Sequence, residues 1–135
     1  MRYRFAVPLI VAAAAIGGTA TAQQTLDPET LAKVREGEVA ELDTPSITKY
    51  GEIQGRFDVK IKRQDGAGSP DGTTPRTVRF MANCREGTMV VAAVGLFDPS
   101  GQLAKTMVSP PGAIDPAKPE KGTQEAKWLQ TVCMF

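Results

Sequence analysis

Two cysteines, Cys84 and Cys133, stand 49 positions apart in a chain that has no histidine. What two thiols can do depends on the compartment, and the opening stretch "MRYRFAVPLIVAAAAIGGTATAQQ" indicates it. Arg2 and Arg4 form a short basic region, Phe5 to Ile16 is almost wholly apolar, and Ala20-Thr21-Ala22 gives a small-x-small pattern before Gln23. These are the three marks of a cleaved secretory signal, here residues 1–22. The competing reading is a membrane anchor, but the apolar run falls short of the ~20 residues a spanning helix needs. No cysteine lies near the cleavage point to accept a lipid. In an oxidising compartment an even pair of cysteines reads as a disulfide. Closing a loop of this length stabilises a fold by roughly 4 kcal/mol in the chain-entropy account. A redox pair would favour the close Cys-x-x-Cys spacing. A structural zinc site draws four ligands largely from Cys and His, and this chain has two and none.

Cleavage takes 22 of the 135 residues and leaves 113, the size of one small domain. The signal holds two arginines and no acid, so 14 Lys+Arg remain against 15 Asp+Glu, a formal charge of −1. That balance gives no general attraction to nucleic acid, and no later stretch is apolar and long enough to span a membrane. The expected location is the periplasm or the cell exterior.

The mature chain divides into an N-terminal segment, 23–45, and a domain, 46–135. Gln23 to Leu26 reads as a loose start. Asp27-Pro28-Glu29 is a helix entry: an acid at the N-cap, proline at the first position, and a second acid near the positive helix end. Leu31 and Val34 then share a face, Gly37 ends the helix, and Asp43-Thr44-Pro45 breaks the chain. Ser46 to Ile53 is a candidate strand. In Phe57 to Lys62 every second residue is apolar, with Phe57, Val59 and Ile61 facing a core. Gln64 to Pro75, with three glycines and two prolines, reads as a flexible surface loop.

Thr77 to Cys84 alternates again, putting Val78, Phe80, Ala82 and Cys84 on the buried side. Met89 to Phe97 is apolar on both faces, as in a central strand covered on both sides. Asp98-Pro99-Ser100-Gly101 suits a type I turn, which returns Leu103 to Val108 as the antiparallel partner. Four prolines keep Ser109 to Gly122 irregular. Thr123 then caps a last helix, with Ala126, Leu129 and Val132/Cys133 at helical spacing. The predicted fold is α+β: a small antiparallel sheet packed with a short N-terminal and a C-terminal helix, stapled by one disulfide.

Catalytic chemistry is hard to assemble from these residues. Without histidine there is no Ser-His-Asp or Cys-His arrangement and no commonest metal ligand. Acid pairs such as Glu36/Glu38 and Asp115/Glu120 have nothing local to bury them, so they read as solvated. Ser46 and Lys49 are three apart in a candidate strand and would face opposite ways. The sequence predicts no enzyme, no cofactor and no metal. One surface is a candidate site. If the strands around Lys60 and Arg79 pair, Lys60, Lys62 and Arg79 share a solvent face, with Arg63, Arg76 and Arg85 at its ends. Such a patch suits an anionic partner; the competing reading is a face whose charges only discourage aggregation.

The stretches "TVRFMANC", "VGLFDPSGQL" and "KGTQEAKWLQTVC" lie within about Arg76 to Cys133. In this order they resemble the surface-adhesin protein E-like family of small secreted bacterial proteins. The resemblance implies a disulfide-stabilised antiparallel sheet packed with helix, and a non-catalytic role. In the best-known member that role is binding host matrix proteins. That member is an outer-membrane lipoprotein, and this chain lacks the lipid-accepting cysteine. The expected function is therefore a secreted or periplasmic binding module. Its partner would be an unknown protein or a polyanionic envelope or matrix surface. The alternative is an accessory subunit of a cell-envelope complex.

Overall fold

The structure, a computed structural model, describes residues 27–135. The expected signal peptide and Gln23 to Leu26 lie outside the described residues. Five strands form one antiparallel meander in chain order: β1 Glu38–Tyr50, β2 Gln54–Arg63, β3 Arg76–Asn83, β4 Thr88–Phe97 and β5 Leu103–Val108. Helix α1 (Pro28–Leu31) precedes them and α2 (Gln124–Cys133) follows. With the Cys84–Cys133 bond, this is the predicted α+β arrangement.

Alternation fixes which side of the sheet becomes the core. Phe57, Val59 and Ile61 of β2 are buried opposite Phe80, Val78 and Arg76 of β3. Phe57 and Phe80 stack with ring centroids 5.3 Å apart, and Trp128 of α2 lies 6.2 Å from Phe80. Trp128, Leu129 and Val132 are the buried residues of α2. The helix starts where its cap predicts, with the Ala126 N–H donating to Thr123 Oγ1 at 3.2 Å. Cys133 at its last position joins Cys84, just past the end of β3.

Four expectations change. The helix expected to reach Gly37 is a single turn ending at Leu31. Asp27 caps it as predicted, accepting from the Thr30 N–H at 2.7 Å. A further turn would need the Leu31 carbonyl to accept from the Arg35 N–H. Instead Leu31 O accepts from Arg76 Nε at 2.7 Å, and Arg35 N–H donates to Glu38 Oε1 at 2.8 Å. Tertiary partners take both ends of the bond that would continue the helix.

The break at Asp43-Thr44-Pro45 interrupts the ladder but not the strand. β1 starts eight residues before Ser46 and runs through Pro45, with an irregular register between Asp43 and Thr48. Proline has no N–H to give the ladder. Ser46 bridges the gap: its Oγ donates to Asp43 O at 2.6 Å and accepts from the Asp58 N–H at 2.7 Å. The Ser46 hydroxyl is thus committed to the backbone. The break between the two expected segments falls inside a strand.

β4 is not a strand covered equally on both sides. Met89 and Val91 are buried, then Val94 and Leu96. A register shift against β3 occurs where Phe80 pairs with Val91 and Arg79 with Ala93. The extra residue, Ala92, switches the phase, so both halves of the strand turn alternate side chains to one core. The continuous apolar run is two alternating patterns joined out of step.

The loop Gln64 to Pro75 is tied down rather than a free surface loop. Thr73 and Thr74 are buried at 1% and 2% exposure. Ser69 Oγ accepts from the N–H groups of Thr73 and Thr74 at 3.0 and 2.9 Å and donates to Asp71 Oδ1 at 2.7 Å. Beyond β5, the proline-rich segment also returns to the sheet: Met89 and Ala117 exchange two backbone bonds of 3.0 Å.

Candidate functional site

The six cations of the predicted patch do not form one patch. Lys60 and Lys62 are exposed on the face of β2 opposite the core, as alternation predicts. Arg79 shares that face but is paired with Asp58, through Nε–Oδ1 at 2.8 Å and Nη2–Oδ2 at 3.1 Å. The Asp58 hydrogen bond raises the Arg79 pKa, against the lowering effect of burial. Arg63 pairs with Asp65 at 2.8 Å. Arg85 is exposed in the turn between β3 and β4. Glu41 stands directly opposite Lys60, and Asp43 opposite Asp58, so acids and bases mix on this face.

Arg76 leaves the patch altogether. It lies on the core side of β3 with a residue exposure of 1%. Its Nη1 and Nη2 grip the two oxygens of Glu38 at 2.7 and 2.8 Å. Nε donates to Leu31 O, Nη2 to Lys33 O at 2.8 Å, and Nη1 to Thr73 O and Thr74 Oγ1, both at 3.1 Å. All five guanidinium donors have partners. Glu38, expected to be a solvated acid, has a side chain only 4% exposed. Burial pushes its carboxyl up. Hydrogen bonds from Arg76, Thr74 and the Arg35 N–H, with the Arg76 charge, outweigh this and hold it down to about 2. Arg35 joins on the outside, pairing with Glu38 at 3.3 Å and Asp71 at 3.2 Å and donating to Thr73 Oγ1. This cluster fastens α1, β1, β3 and the Gln64 to Pro75 loop together. Its bonds are used up internally.

The outer face of the sheet carries a shallow groove of about 370 Å³. Thr77, Ala93 and Gly95 give it a low floor. Lys60, Arg79, Asp43 and Asp58 stand on one side, with Phe97, Leu103 and Thr106 on the other. A Cβ at Gly95 would lie 2.9 Å from Leu103 Cδ1, so with glycine there the Leu103 side chain lies across β4. Leu103 and Val108 remain 57% and 67% exposed. The groove thus offers an ionic wall and an apolar wall along the strands. Alternation along β2 and β3 already points to the ionic wall. Alternation does not point to the apolar wall, because Leu103, Thr106 and Val108 share a face only through the register shift near Leu96/Phe97.

Both cysteines are in the disulfide. Among the described residues, no three acids or cysteines converge as a metal site. Among the described residues, no helix is long and apolar enough to cross a membrane. No family model, no curated protein and no solved structure matches the chain.

Proposed function

We propose that the protein is a non-catalytic binding module, exported to the periplasm or beyond, that holds a partner on the outer face of its sheet. One observation carries this reading. Both helices pack on the opposite face, while Lys60, Lys62, Leu103, Thr106 and Val108 stay exposed together on this one. A sheet face with charged and apolar walls suits an extended surface better than a small substrate. The disulfide fits an oxidising compartment. The antiparallel sheet followed by a disulfide-linked helix is the arrangement that a resemblance to surface-adhesin proteins implies. The alternative, an accessory subunit of an envelope complex, draws on a different observation. Lys60 faces Glu41 and Arg79 pairs with Asp58, and such a mixed face matches a complementary protein surface better than a polyanion.

Salt and charge reversal test the face. The Debye length falls from about 10 Å at 0.1 M salt to about 3 Å at 1 M. A partner captured from envelope extract by the tagged protein should be released over that range. The K60E/K62E variant sets a like charge opposite Glu41, so it should lose up to about 1 kcal/mol of stability and stay folded, yet lose capture. A folded K60E/K62E protein that holds every partner as tightly as wild type would sink the assignment. Co-purification of one stoichiometric envelope protein at low salt would favour the accessory-subunit reading. Export is checked separately. Mass spectrometry of the exported protein should show a chain starting at Gln23 and lacking two thiol hydrogens; an intact Met1 start would refute the signal peptide.

A further inference from the structure

Among the described residues, the core face of the sheet is covered from two directions and left open between them. α1 packs on β4, and α2 packs on β2 and β3. Between them lies a groove of about 240 Å³ floored by Phe80, Met89 and Val91. These keep 7%, 8% and 5% exposure, where Phe57, Val59, Val78 and Val94 keep none. Three acids from three separate segments reach its rim: Glu29 from α1, Asp115 from the proline-rich segment and Glu125 from α2. Among the described residues, Lys33 is the one cation lining it. Among the described residues, none of the three acids is in an ion pair.

We propose that this groove is a second docking site, one that seats a large apolar side chain from a basic segment of a partner protein. Size limits the occupant: pockets for drug-sized ligands run from about 300 to 1,000 Å³, so this one suits a side chain or two. Charge selects its chemistry. A Lys or Arg flanking the apolar residue lays its stem along the groove and its head among the acids. An acidic segment meets three carboxylates with one lysine to offset them and is turned away. The site lies on the opposite face of the sheet from Lys60 and Lys62, so either can fail without the other.

The test uses two synthetic peptides, acetyl-Lys-Leu-Phe-Lys-amide and acetyl-Glu-Leu-Phe-Glu-amide, titrated into isotope-labelled protein. The basic peptide should move the amide resonances of Ala32, Met89, Val91 and Ala117 saturably and bind about tenfold more tightly than the acidic one. The two lysines each gain a charge pair with the rim acids, while the two glutamates of the acidic peptide meet like charges there, and together these differences give about an order of magnitude. E29Q/D115N/E125Q should erase most of the preference, and K60E/K62E should leave it intact. Glu29 and Glu125 also support helix starts, so D115N alone, outside any helix, should still lower the ratio by about twofold. Equal binding of the two peptides, shifts confined to the outer face, or no shifts at all would overturn the proposal. Groove resonances that move with protein concentration alone would overturn it too, assigning the groove to a second copy of the chain.

Discussion

Arg76 and Glu38 put two full charges where the chain can least afford unpaired ones. Removing one partner of such a pair leaves the other buried and uncompensated, at a cost of about 3–5 kcal/mol. Glu38→Gln keeps the shape but loses the charge, so it should destabilise by a value toward that range, read from urea unfolding near neutral pH. The pH dependence follows from the lowered pKa. The Glu38 carboxyl falls from 4.5 to about 2 on folding, so the unfolded chain takes up the proton first. Its contribution, on the order of 3 kcal/mol, is present above about pH 4.5 and disappears as pH falls toward about 2. Asp71 works in the same sense: burial raises its pKa, but hydrogen bonds from Thr73, Ser69 and Arg35 bring it well below the usual range. Wild type should therefore lose stability steeply through that window and E38Q less steeply; superimposable slopes would refute the role given to Glu38. The alternation of β3 already pointed at Arg76, which is two residues before Val78 and so on the core side. Its charge argued for the surface, and the acid that makes burial tolerable is 38 positions away. Periodicity reports a face; it carries no trace of a partner so distant.

Among the elements, those with local signals were legible and those shaped by neighbours were not. Thr123 and Asp27 cap their helices through bonds spanning three residues, and such bonds are written in consecutive sequence. The Asp98 turn is local as well, with Gly101 N–H donating to Asp98 O at 2.9 Å. The end of α1 and the phase switch at Ala92 are decided by Arg76 and by β3, and nothing adjacent announces them. Irregularities also protect the two edge strands. β1 carries Pro45 and its broken register; β5 carries Lys105 and a shift near its start. Prolines, lysines and bulges discourage another strand from adding there. α2 depends on its staple. It rests three buried side chains on the sheet, and the bond at Cys133 holds its end. Cys133→Ser should cost about 2–4 kcal/mol, or roughly 10–20 °C in melting temperature for a domain this small. In reductant the wild type has lost the bond as well, and the gap should close. An equal deficit with and without reductant would mean that Cys133 acts by packing alone.

At the scale of the molecule, both fasteners hang on the middle strand of the five. β3 begins at Arg76, which locks α1, β1 and the Gln64 to Pro75 loop, and runs to Asn83, next to the cysteine that locks α2. Eight residues of strand at ~3.3 Å each separate Arg76 from Cys84 by about 26 Å. The two act on different parts of the unfolding problem. The ion pair adds bonds to the native state, whereas the disulfide chiefly restricts the unfolded chain. It closes residues 84–133, a loop that contains neither Glu38 nor Arg76. Sites this far apart with no shared partner are additive within about 0.5 kcal/mol. The double variant E38Q/C133S should therefore lose the sum of the two single losses, measured by urea unfolding of all four proteins above pH 5, where Glu38 is ionised in the folded and unfolded wild type. The combined loss is large beside the roughly 5–15 kcal/mol of a typical domain, so 0 M urea baselines and near-UV circular dichroism must show the double variant folded. A coupling well beyond 0.5 kcal/mol would mean that β3 transmits strain between its ends, and that α1 and α2 are fastened as one unit. Additivity would leave two independently closed ends of the sheet, with the acid-rimmed groove in the gap between their helices.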